Sequence, residues 1–168
     1  MKVSVAGLNK NDFTNGIGVC VSLFLQGCPH HCPGCHSEST WDPDEGTKIE
    51  YDELLQEIKK AICANGIMRN FALSGGDPLA SYNLPISLKL LYDLKLEYPD
   101  LKIYLWTGYS SNWAHTLLEN QPWLKGSIII TEPFDISKRD ITLPLRGSSN
   151  QRIWEYPNKE ITEEFLKK

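Results

Sequence analysis

The chain has 168 residues, 41% of them hydrophobic and 23% charged, with a net charge of −4. That length suits one domain with a sizeable core, and the acidic balance argues against a nucleic-acid partner. No run of about 18 apolar residues is present and Met1 to Lys10 lacks the apolar stretch of a secretory leader, so the expectation is a cytoplasmic protein without a membrane span.

In chain order, Val19 to Gln26 reads Val-Cys-Val-Ser-Leu-Phe-Leu-Gln, which predicts a buried strand ended by Gly27. A polar loop rich in Cys, His and Pro follows, to about Gly46. Tyr51 to Ala64 predicts a helix. Leu54, Leu55, Ile58 and Ile62 share a face, acids cluster early, two lysines lie late, and Asn65-Gly66 supplies a stop. Asn70 to Ser74 reads as a second strand, closed by Gly75-Gly76-Asp77-Pro78. Leu84 to Tyr98 predicts a second helix, with Pro85 in its first turn and Pro99 beyond its end. Leu101 to Trp106 is a third strand running into Thr107-Gly108-Tyr109, Ser111 to Asn120 a third helix, and Ser127 to Thr131 a fourth strand. A strand near Ile153 and a short helix from about Lys159 close the chain. Such alternation predicts βαβ units in an α/β fold with a parallel sheet and right-handed crossovers. Ligands gather at the carboxyl ends of such strands, where the cysteine loop, Gly-Gly-Asp and Thr-Gly-Tyr all fall.

Of five cysteines, three lie within one short loop, as Cys28-Pro29-His30-His31-Cys32-Pro33-Gly34-Cys35-His36. An odd count, clustered in this way, points to metal or catalysis in a reducing compartment rather than to a disulfide framework. Thiolates bind zinc and iron–sulfur clusters alike. A structural zinc site would need His30, His31 or His36 as fourth ligand. A 4Fe–4S cluster held by three cysteines leaves one iron open to a further ligand.

The C-x3-C-x2-C spacing after the first predicted strand resembles the radical S-adenosylmethionine (SAM) superfamily. Val21 to Gly27 followed by Cys-Pro-His-His-Cys-Pro-Gly-Cys-His-Ser-Glu-Ser-Thr-Trp-Asp resembles, more narrowly, the activating proteins of anaerobic (class III) ribonucleotide reductase. So do Leu73-Ser74-Gly75-Gly76-Asp77-Pro78-Leu79, Trp106-Thr107-Gly108-Tyr109 and Arg146-Gly147-Ser148-Ser149-Asn150-Gln151-Arg152. The resemblance implies an open partial (β/α) barrel with mostly parallel strands, a single domain over residues 1–168 with its cluster loop at 27–41. It implies a 4Fe–4S cluster on Cys28, Cys32 and Cys35, whose fourth iron chelates SAM. Reductive cleavage of SAM then yields a 5′-deoxyadenosyl radical that abstracts a Cα hydrogen from a glycine of the reductase.

By the same resemblance, Gly34, Cys35, His36, Ser74, Gly75, Gly76, Asp77, Thr107 and Tyr109 line the SAM pocket. Asp77 is matched to the SAM amino group and His36 to the adenine. Arg146 and Arg152 anchor either the SAM carboxylate or the reductase surface. The implied partners are the large reductase subunit and an electron donor such as reduced flavodoxin. Three departures stand out: His36 where relatives carry Tyr or Phe, Cys20 where many carry Arg, and Thr131-Glu132 where many carry Asp-Gly. Cys20 and Cys63 read as small hydrophobes without a role. The rival readings are an activase of another glycyl-radical enzyme, of the pyruvate formate-lyase type, and a non-catalytic zinc module.

Overall fold

The computed structural model describes residues 1–35 and 37–162. Its elements run β1 (Lys2–Asp12), β2 (Cys20–Leu25), β3 (Thr47–Glu50), α1 (Tyr51–Ile62), β4 (Asn70–Gly75), α2 (Leu84–Glu97), β5 (Ile103–Trp106), α3 (Ser111–Leu117), β6 (Ile128–Thr131), β7 (Arg152–Glu155) and β8 (Lys159–Ile161). The strands form one sheet in the order β3-β1-β2-β4-β5-β6-β7-β8. The pairs β2–β4, β4–β5 and β5–β6 are parallel, as expected from the alternation of strand and helix. The flanking pairs β1–β2, β1–β3, β6–β7 and β7–β8 are antiparallel. The expectation of mostly parallel strands is therefore corrected. The fold is α/β with a mixed, open sheet, parallel only at its centre.

Strand residues alternate between two cores, as the pleat requires. Val21, Leu23 and Leu25 of β2, Phe71 and Leu73 of β4, and Ile103 and Leu105 of β5 enter the larger one. There they meet Leu54, Ile58 and Ile62 of α1, Leu90, Leu91 and Leu94 of α2, and Ala114 of α3. Each fully buried Val, Leu, Ile or Phe side chain among them contributes about 1.5–3 kcal/mol. Cys20, Ala72, Tyr104, Ile130 and Ile153 form a smaller cluster on the opposite face, with Trp106 and Leu145 packed against it.

The helices begin where composition predicts. Asp52 and Glu53 occupy the first turn of α1, Lys59 and Lys60 its last, in the sense that favours the helix dipole. Ser110 caps α3 by accepting from the Trp113 N–H. The helix expected from Lys159 is instead β8, and residues 163–168 lie outside the described residues. Pairing Ile153 with Ile161 buries Ile161, and Glu160 then meets Arg152 across the strands. A helix there would give up both.

Candidate functional site

Because β2, β4, β5 and β6 run parallel, the segments that leave their carboxyl ends meet along one edge. Between them lies a cleft of about 140 Å³. Cys28, Cys32 and Cys35 border it from the loop after β2. Ser74, Gly75, Gly76 and Asp77 border it from the end of β4, and Thr107 and Gly108 from the end of β5. Glu132 and Phe134, after β6, and Gln151, before β7, complete the wall. A larger hollow of about 400 Å³ lies around Arg69 and Tyr98, at the other end of β4, and no cysteine lines it. The smaller cleft is the one with chemistry.

The cysteine loop is tied at its base. Gly27 N donates to Thr40 O at 2.6 Å, and Cys28 N to Trp41 O at 3.0 Å. The Gln26 side chain donates to the carbonyls of Ser39 and Asp42. Gly27 O in turn accepts from Asp77 N at 2.8 Å, joining the loop to the end of β4. That close approach needs glycines. Gly75 has φ +136°, and a Cβ on Gly75 or Gly76 would strike the backbone of Leu25 or Gly27.

Asp77 is only 1% exposed, and protein donors saturate its carboxylate. Thr107 Oγ1 lies 2.9 Å from both oxygens, Gly108 N donates at 2.9 Å and Leu79 N at 2.9 Å, and His30 Nε2 closes the set. His30 also meets Tyr109 edge-on, 4.5 Å between ring centroids. The carboxylate thus binds together the loops after β2, β4 and β5. The expectation that it faces an amino group of SAM competes with these four donors.

Burial pushes the Cys28 thiol up to about 11 and raises Cys32 as well. As thiols these groups are poor ligands, but iron cations would reverse the balance by favouring thiolates. Ser37 N already donates to Cys35 Sγ at 3.4 Å. Among the described residues no three His, Cys, Asp or Glu side chains converge as a single metal ion requires. Three thiols spread along a cleft fit a larger cluster better than one tetrahedral zinc, whose thiolates all lie at about 2.3 Å from it.

Of the residues expected to form the pocket, Cys28, Cys32, Cys35, Ser74, Gly75, Gly76, Asp77 and Thr107 do line it. Gly34 and Tyr109 are not on its wall: Gly34 has φ +75° with the Ile136 side chain where its Cβ would stand, and Tyr109 packs on the main core. His36 lies outside the described residues. Neither arginine of the late stretch reaches the cleft. Arg152 pairs with Glu160 at 2.6 and 3.1 Å and covers the Trp154 ring, whereas Arg146 donates to Gln151 O at 3.3 Å. Gln151 is the member of that stretch that enters the cleft. Its Oε1 accepts from Gly147 N and Ser148 N, and its Nε2 donates to Glu132 O. Glu132 has φ +79°, a left-handed conformation that glycine adopts more readily than glutamate. Sequence reasoning named His30 only as a zinc-ligand candidate, gave Trp41 and Trp106 no role within the motifs that contain them, and passed over Phe134, because nothing local separates these residues from ordinary loop residues.

Residues 14–154 match the family model of the 4Fe-4S single cluster domain, which places the chain among iron–sulfur proteins. It is 36% identical over 146 residues to the anaerobic ribonucleoside-triphosphate reductase-activating protein of Escherichia coli K12, covering 84% of this chain and 92% of that one. The same-named proteins of Vibrio cholerae and of phage T4 are each 35% identical, over 149 and 150 residues. Those alignments cover 84% and 85% of this chain, and 91% and 88% of the relatives. The chain belongs to the family of anaerobic ribonucleoside-triphosphate reductase-activating proteins.

Proposed function

We propose that the chain is a radical SAM activase that installs a glycyl radical in the large subunit of anaerobic ribonucleotide reductase, drawing electrons from a donor such as reduced flavodoxin. The observation that carries this reading is the placement of Cys28, Cys32 and Cys35 on one cleft with the glycine-rich end of β4. A cluster and SAM bound there would supply the electron and the 5′-deoxyadenosyl radical that takes hydrogen from glycine.

The chain's own residues have positioning work to do. Cys28, Cys32 and Cys35 would hold the cluster as thiolates, and three protein ligands would leave it one iron free to take SAM. Gly75 and Gly76 keep side chains away from the cofactor, so that backbone groups border it. Asp77, through His30, Thr107 and Gly108, fixes the cysteine loop against the ends of β4 and β5, which holds cluster and cofactor in one geometry. Thr107 serves the pocket through that bond, and Gln151 and Glu132 form the far wall.

The test is anaerobic. With dithionite and SAM alone, reconstituted protein releases methionine and 5′-deoxyadenosine slowly. With the reductase added, an electron paramagnetic resonance doublet from a glycyl radical appears. A doublet in pyruvate formate-lyase but not in the reductase would reject the target while keeping the chemistry. No SAM cleavage by a fully loaded cluster would reject both.

A further inference from the structure

Trp41, at the end of the cysteine loop, stands on the cleft wall beside the three cysteines. Its carbonyl holds the Cys28 N–H at 3.0 Å. Its indole lies flat against the His31 ring, 4.5 Å between centroids and 12° between planes. The ring is fixed, yet its Nε1 is buried and has no acceptor among the described residues. Buried indole N–H groups normally find a partner, since a donor stripped of water and left unpaired is destabilising. Other tryptophans here show the usual arrangement. Trp106, on the same cleft, donates to Leu145 O at 2.8 Å, and Trp154 donates to Ser111 Oγ at 3.0 Å.

The carboxylates of the cleft are already engaged. Asp77 accepts from His30, Thr107, Gly108 and Leu79, and Glu132 Oε1 accepts from the backbone and hydroxyl of Ser111. An acceptor for Trp41 therefore arrives with what the cleft binds. An iron–sulfur cluster carries anionic sulfurs on every face, and one sulfur ligand of this loop, Cys35 Sγ, already draws an N–H. We propose that the Trp41 Nε1–H donates a hydrogen bond to a sulfur of the bound cluster and raises its reduction potential. The inference rests on the cluster reading above. Reduction adds negative charge to the sulfurs, so a donor stabilises the reduced form more than the oxidised one.

Trp41→Phe keeps a flat ring over His31 and deletes only the donor. In the full chain, reconstituted anaerobically and titrated without SAM, iron content stays at the wild-type level while the reduction potential moves to a more negative value. Reduced wild-type protein in deuterated buffer shows an exchangeable deuteron coupled to the cluster spin, which Trp41→Phe lacks. An intact cluster with unchanged potential and unchanged coupling would overturn the proposal. So would an unchanged potential with a tenfold loss of SAM affinity, which would place the acceptor on the cofactor. If Trp41→Phe does not load, wild-type protein with 15N-labelled indoles decides. A nitrogen coupling supports the bond, and its absence overturns it. A wild-type chain that takes up no iron would instead overturn the cluster reading itself.

Discussion

Strand β4 has a buried charge near each end, and the two differ in what they join. Arg69, just before the strand, is 6% exposed and donates to the carbonyls of Ala61, Ala64 and Ile67 and to Asn11 Oδ1. All but Asn11 belong to the end of α1 and the turn after it, so Arg69 acts as a helix stop and binds the end of β1 to it. Asp77, just beyond the strand, is equally saturated, but its donors come from three loops, one of which carries the cysteines. Burial and saturation alone do not mark a functional site. What distinguishes the Asp77 end is that it ties together the loops that leave three neighbouring parallel strands, around glycines and an indole N–H without a partner among the described residues.

That contrast is open to direct attack. The largest effect is expected from Cys28→Ala, Cys32→Ala or Cys35→Ala. Each abolishes the cluster, read by iron and sulfide content, with the far-ultraviolet circular dichroism of the fold retained. Cys63, the C-cap of α1 at the Arg69 end, is exposed, and Cys63→Ala leaves cluster content at the wild-type level. Next comes Arg69→Ala, which strips three carbonyls of a charged donor. It lowers stability by about 3 kcal/mol in denaturant titration, on the scale of bonds to charged groups. Protein of this variant that remains folded binds the cluster and SAM as before.

Asp77→Ala acts on both properties. Stability falls by about 2 kcal/mol, and SAM affinity falls about tenfold or more as the loops lose their common anchor. Unchanged affinity by calorimetry would reduce Asp77 to the same role as Arg69. The smallest effect concerns Asp12, at the end of β1. Its burial opposes ionisation, yet hydrogen bonds from Asn15 and Thr14 outweigh that and hold it at about 2, below the usual 3.8. A depressed carboxylate stabilises the fold above the ordinary value and loses that contribution as pH falls. Wild-type stability therefore declines from about pH 4 toward pH 2, by a margin that Asp12→Asn removes.

The sequence made the centre of this fold readable because β2, β4, β5 and β6 are apolar runs punctuated by glycine or by polar turn residues. The flanks were not readable. Residues Thr47–Glu50 of β3 are mostly exposed, and β1 loses its alternation after Val5 and turns polar after Leu8, so neither shows the pattern of a buried strand. Three-residue β8 owes its form to Ile153 and Arg152 on the neighbouring strand rather than to its own residues. In the site, the cysteines were legible from spacing and the glycines from their place after a strand. The saturation of Asp77 by His30, 47 residues away in the chain, and the pairing of Arg152 with Glu160 depend on contacts that local sequence does not encode.

The most direct test of the central claim is a count of irons and their response to SAM. Reconstituted with 57Fe and examined by Mössbauer spectroscopy, the chain is expected to hold about four irons as one cluster, and SAM should alter the signal of a single iron, the one without a cysteine. Tightly bound zinc without iron uptake, or four irons indifferent to SAM, would contradict it.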